Sequence, residues 1–140
     1  MKHFFSRPLR LVVATEAIVT ALSALYAFVA PEQMAAQFID NVPPGPVVDL
    51  LVWAAASWMA IAIIEGYLLW KGTVHTWRAM LPGLLVGDVL HVAGQAMMIA
   101  HGGKTTPAAL SGMVFATLYF CARLAIFVEP SRGVRPNSPG

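Results

Sequence analysis

Four long apolar stretches, Leu9 to Ala30, Val47 to Trp70, Ala79 to Ala100 and Pro107 to Val128, decide what this chain can become. At a rise of ~1.5 Å per residue, each is long enough to cross a hydrocarbon layer of ~30 Å as an α-helix. No water satisfies the backbone inside such a layer, so only helices and closed barrels are stable there. The stretches are continuously apolar rather than alternating, and four strands could not close a barrel. The sequence therefore predicts an all-α protein, an integral membrane four-helix bundle. One transmembrane domain is expected over residues 1–129. The tail over residues 130–140 is rich in Pro, Ser, Gly and Arg and is expected to be disordered.

Composition excludes the soluble alternatives. Of the 140 residues, 58% are hydrophobic and 11% charged, where ordinary soluble domains carry roughly 25% charged residues. The net charge of +2 is small and the basic residues are scattered. No patch can follow a phosphate backbone, so nucleic acid is not an expected partner. Cys121 is the only cysteine, which rules out an intramolecular disulfide and reads as a small packing residue. The expected partners are the lipid bilayer and a lipophilic small molecule, with a homo-oligomer or a larger membrane complex as the protein-level alternatives.

Lysine and arginine set the orientation, because cytoplasmic connections carry the excess of both. Lys2 and Arg7 precede the first stretch and Arg10 stands at its start, Lys71 and Arg78 lie between the second and third, and Arg132 and Arg135 follow the fourth. Lys104 stands alone in the third connection, and the first connection has neither residue type. Both termini are thus expected on the cytoplasmic side of the cell membrane. The first stretch is longer than a signal-peptide core and contains Glu16, so it is expected to be retained as a helix. In the first connection, residues 32–39 have the spacing of a short amphipathic turn, and Pro43-Pro44-Gly45-Pro46 forms the hinge before the second crossing.

Ionisable side chains inside apolar spans are costly and call for a partner or a function. Glu16, Glu65, Asp88, His91 and Arg123 all fall there, in the cytoplasmic half or near the middle of their helices. Residues three or four apart share a helix face. The faces are Glu16, Thr20 and Ser23; Trp58, Ile61 or Ala62, and Glu65; Leu84, Asp88, His91 and Gln95; and Ala108, Gly112, Ala116, Tyr119 and Arg123. Small residues at Gly83, Gly87 and Gly94 and at Ala54, Ala55 and Ala56 predict close helix contact.

Three carboxylates against one arginine and one imidazole leave acid in excess of its partners, which suits proton transfer. Glu65, Asp88 and His91 are the candidate catalytic residues, with a carboxylate as proton donor and His91 as base or orienter. Glu16, Trp58, Tyr67, Gln95, Tyr119 and Arg123 are the candidate substrate-binding residues. The aromatic faces among them suit a developing cation. The competing explanation is structural, with Arg123 neutralising Glu16 or Glu65 and Asp88 holding His91 in one tautomer. No metal is expected, since Asp88-x-x-His91 is too short a pattern to specify one. No cofactor is expected either, because His75 and His101 sit at opposite helix ends and cannot pair with His91 on a haem.

The segments Trp77-Arg78-Ala79-Met80-Leu81-Pro82-Gly83-Leu84-Leu85-Val86-Gly87-Asp88-Val89-Leu90-His91, and Glu16 with the small-residue helix ending at Ala30-Pro31-Glu32, carry a resemblance. With the order of helices, they resemble a family of small four-helix membrane proteins of unknown function, loosely similar to DoxX-like proteins. The resemblance implies the architecture over Pro8 to Val128 and implies no activity. By site chemistry alone, the cluster is similar to those of membrane-embedded isomerases and terpene cyclases. An isomerase or cyclase acting on a lipophile is the leading expectation. A small proton-coupled transporter using Glu16, or a non-catalytic subunit of a membrane complex, are the alternatives.

Overall fold

The computed structural model describes residues 7–43 and 45–128. Five helices occur among them: α1 (Arg7–Val29), α2 (Pro31–Ala35), α3 (Pro46–Lys71), α4 (Val74–Ala100) and α5 (Pro107–Val128). No strand occurs among the described residues. Arg10–Val29, Pro46–Lys71, His75–Ala100 and Pro107–Val128 are long and apolar enough to cross a membrane. Lys2, Arg132, Arg135 and the tail from Pro130 lie outside the described residues.

The helix boundaries have local causes. Pro31 and Pro46 open α2 and α3, where a missing N–H costs nothing. Gly45 precedes α3 with φ 88°, a conformation that only glycine takes without strain. At the other end of α3, the Gly72 N–H donates to Leu68 O at 2.8 Å. A Cβ on Gly72 would lie 2.3 Å from that same oxygen, so the turn has room for no side chain. Thr73 then caps α4, its Oγ1 accepting from Thr76 N at 3.2 Å. This cap starts α4 at Val74, ahead of the apolar stretch at Ala79, and brings Trp77 and Arg78 into the helix. Pro82 lies inside α4 without ending it.

Packing forms two antiparallel pairs, α1 with α3 and α4 with α5, joined where α1 meets α5. The direction follows from the contacts: Val13 shares a core with Leu68, and Ala24 and Ala27 share one with Ala55. At the Gly72 end, Val13, Leu68, Trp77, Leu81 and Ile126 form the larger apolar core. Trp77 is anchored there by its indole N–H, which donates to Leu68 O at 3.2 Å. At the α2 end, Ala24, Ala27 and Ala55 pack tightly beneath Met34, Leu51, Trp58 and Met59. The ionisable residues occupy the layer between these two cores.

The α2 end is tied by polar contacts. Thr106 Oγ1 donates to Gln37 O at 2.7 Å and accepts from Ala109 N at 3.2 Å, capping α5 while holding the first connection. Lys104 adds a bond from its Nζ to Ala36 O at 3.0 Å and an ion pair with Asp40 at 2.7 Å. The amphipathic turn expected over residues 32–39 is present as α2 and the turn that follows it, with Ala35 buried.

Two packing expectations are corrected. Gly83, Gly87 and Gly94 do not line a helix contact within the chain: a Cβ on any of them would meet nothing within 4 Å. The buried face of α4 is set by Trp77, Leu81 and Asp88, and at ~3.6 residues per turn the three glycines fall on a different face. Cys121 is exposed rather than a core packing residue, because Tyr119 and Arg123 take the inward positions on either side of it.

Candidate functional site

Arg123 is the centre of the polar layer. It sits on α5 two positions beyond Cys121 and is only 3% exposed. Its Nη2 donates to Glu16 Oε1 on α1 and to Glu65 Oε1 on α3. Its Nη1 donates to Asp88 Oδ1 on α4 and to the Leu84 carbonyl oxygen at 3.3 Å. A guanidinium has five N–H donors, so all four terminal ones are engaged and only the Nε donor has no partner. One side chain from each long helix thus meets at a single cation.

The three carboxylates are buried: Glu65 is 0% exposed, Glu16 5% and Asp88 7%. Each gives one oxygen to Arg123, and the second oxygens of all three have no hydrogen-bond partner among the described residues. The buried Tyr119 hydroxyl is also without a partner among them. Tyr119 lies one turn before Arg123, and its ring stacks on Phe115 with centroids 6.0 Å apart. Two negative charges are uncompensated when all three acids are ionised, a costly arrangement in a low-dielectric interior. Such a cluster has capacity for positive charge, and the proton is the smallest carrier of it.

His91 lies at the surface beside this layer. It stands one turn beyond Asp88 on α4, is exposed, and its Nε2 lies within hydrogen-bonding distance of the Gln95 amide, 3.0 Å from the amide Nε2. Gln95 is held in turn by α5: a Cβ on Gly112 would lie 2.6 Å from Gln95 Nε2, so the amide rests in the space that glycine leaves. The enclosed layer of Glu65, Arg123 and Asp88 therefore has an exposed imidazole one helical turn from Asp88.

The structure brings together Glu16, Glu65, Asp88 and Arg123, with Tyr119 beside them. His91 and Gln95 form a pair of their own at the edge. Trp58 packs against the alanine core at the α2 end instead. Tyr67 is 60% exposed on the outside of α3 and does not enter the polar layer. The inward position left open between Ile61 and Ala62 belongs to Ala62, with Ile61 exposed. Sequence reasoning missed the Leu84 carbonyl as a ligand of Arg123, since a backbone acceptor leaves no mark on residue type. It also read Gly112 only as a small residue, where the structure makes it the seat of Gln95.

Among the described residues, no group of three or more His, Cys, Asp or Glu has the arrangement to hold a metal ion. Clefts open on the outer face of α5, among Met113, Val114, Thr117 and Leu118, and beneath the first connection, among Ile39, Asp40, Met98 and His101. Neither includes a member of the polar layer. The class defined so far is a four-helix bundle with a buried three-acid, one-arginine centre. Comparison with known proteins finds no family model, no curated protein and no solved structure that matches the chain.

Proposed function

We propose that the chain crosses the cell membrane four times with both termini cytoplasmic, and that it performs acid/base chemistry on a lipophilic substrate as an isomerase or cyclase. Four apolar helices support the crossings. Support for the orientation comes from Arg10, Lys71 and Arg78 at the Gly72 end, against Lys104 at the α2 end. The resemblance to DoxX-like proteins agrees with this architecture and adds no activity.

Asp88 carries the chemical reading. One of its oxygens is held by Arg123, while the other is buried without a hydrogen-bond partner among the described residues, one turn from the exposed ring of His91. Fastening helices requires the ion pairs; it does not require a spare acid oxygen beside an accessible imidazole. In this reading Glu16 and Glu65 hold Arg123 in place, Asp88 moves the proton, and His91 meets the substrate where it arrives from the bilayer beside α4. Asp88 is preferred to Glu65 as the group that moves the proton because Glu65 is wholly enclosed.

An enzyme of this kind exchanges a carbon-bound hydrogen of its substrate with solvent. Membranes of a host producing the protein, incubated in deuterium oxide, are expected to yield extracted lipids of which a subset carries deuterium by mass spectrometry. At equal amounts of inserted protein, Asp88→Asn should abolish that labelling. Labelling no greater than in membranes without the protein removes the reading.

The second reading is that the centre only fastens the bundle, favoured by the meeting of one side chain from each long helix on Arg123. It predicts no deuterium in any lipid, with Asp88→Asn altering stability alone.

A further inference from the structure

Gln95 is placed to set which nitrogen of His91 carries the proton. The contact between them joins the Gln95 amide nitrogen to His91 Nε2 at 3.0 Å. An amide nitrogen only donates, so His91 Nε2 accepts, and an imidazole accepting there is neutral with its hydrogen on Nδ1. A Cβ at Gly112 would lie 2.6 Å from the amide nitrogen and 3.2 Å from its oxygen, so the amide occupies the space that glycine leaves on α5 and any side chain there would displace it. His91 Nδ1 has no hydrogen-bond partner among the described residues and belongs to an exposed ring. The side chain is therefore a fixed donor, not a free base.

We infer that Gln95, seated on Gly112, is a positioning residue that presents His91 Nδ1–H to an oxygen of the substrate, and that the substrate class is accordingly a lipophile bearing a carbonyl group. The substrate half rests on the acid/base reading above; the tautomer half stands without it. For a β,γ-unsaturated ketone the chemistry balances with no further reactant. The Asp88 carboxylate takes a proton from the carbon beside the carbonyl, and the C–H electron pair becomes the C=C bond of a dienolate. The dienolate oxygen, where negative charge collects, accepts the hydrogen bond from His91 Nδ1. When the carbonyl re-forms, the γ-carbon takes a proton back from Asp88, whose acid proton exchanges with solvent while the dienolate is held, leaving the conjugated isomer and the starting carboxylate.

The test is nitrogen NMR of the full chain in lipid nanodiscs with ¹⁵N-labelled histidine, the His91 signals being those lost in His91→Asn. The expected result is an unprotonated Nε2 and a protonated Nδ1 in the wild type. Gln95→Leu and, separately, Gly112→Ala are expected to replace that single form with a mixture of tautomers. A proton on Nε2, or an imidazolium, in the wild type overturns the inference, as does a tautomer unchanged in both variants. Addition of a long-chain cyclic ketone is expected to shift the Nδ1 signal, and the matching cyclic hydrocarbon to leave it in place. Equal responses to the two probes overturn the carbonyl assignment. A correct tautomer in a protein that labels no lipid with deuterium would leave the positioning intact and remove only the enzymatic reading.

Discussion

Glu65 on α3 and Arg123 on α5 form an ion pair in which the carboxylate is wholly enclosed, 0% exposed, and the guanidinium 3% exposed. The two helices it joins are not direct packing neighbours in the way α1 and α3 or α4 and α5 are. The pair therefore couples one helix pair to the other, and Glu16 makes the same connection from α1, while Asp88 binds Arg123 within the α4–α5 pair.

Removing the cation should be the most damaging change in the layer. Arg123→Met leaves Glu16, Glu65 and Asp88 facing one another without compensation, and breaking a buried pair by deleting one partner costs about 3–5 kcal/mol. Thermal unfolding in mild detergent should show a large loss for Arg123→Met. Glu16→Gln should lose much less, because two acids remain on the guanidinium and the amide oxygen still accepts from Nη2.

The three carboxylates share one partner, so their contributions should not add. Double-mutant combinations of Glu16→Gln and Asp88→Asn are expected to depart from the sum of the single changes by about 0.5–3 kcal/mol. Additive behaviour in equilibrium unfolding would mean that the acids act independently.

Trp77→Phe keeps the aromatic bulk in the core at the Gly72 end but deletes the donor to Leu68 O. The lost hydrogen bond should cost about 1 kcal/mol. Leu68 O still accepts from Gly72 N, so the backbone turn should survive, and a lowered melting temperature with unchanged helix content by circular dichroism is the expected result.

Glycines of α4 and α5 should respond differently to alanine. At Gly83, Gly87 and Gly94 the new methyl group meets open space, and replacing a helical glycine gains about 0.5–1 kcal/mol per site. Gly112→Ala should gain less, because its methyl group must displace the Gln95 amide, the far end of a flexible side chain. Unfolding midpoints of the four single variants, compared in one detergent, give the check.

Thr106→Val removes a cap and a tie together. Both the bond to Gln37 O and the one from Ala109 N disappear, and a lost cap alone costs about 1 kcal/mol. Amide hydrogen exchange should quicken at the start of α5 and around Gln37, while the core at the Gly72 end keeps its protection.

Helices, their number and much of their inward faces were legible in the chain. Glu16, Glu65, Asp88 and Arg123 stand out because a charge within an apolar run has few stable solutions, and the small-residue row from Ala108 to Arg123 has one evident face. Tyr67 and Trp58, expected as substrate-binding residues, lie outside the polar layer. Aromatic residues sit equally well on an outer face, in an apolar core or in a site, so their type carries no direction. The glycines of α4 misled for the same reason, since a small residue permits contact without requiring it.

The sequence by itself determined that four apolar helices form and that their buried charges must find one another, because the free-energy cost of an unpaired charge in an apolar interior depends on residue type alone. Only the tertiary structure decided who meets whom. A single guanidinium has donors in several directions, and the helix packing fixed that Glu16, Glu65 and Asp88 all reach Arg123 while His91 turns outward to Gln95. Those choices depend on the rotation and register of each helix against its neighbours, which arise from the packing of Val13, Leu68, Trp77, Leu81 and Ile126 on one side and the alanine contacts on the other.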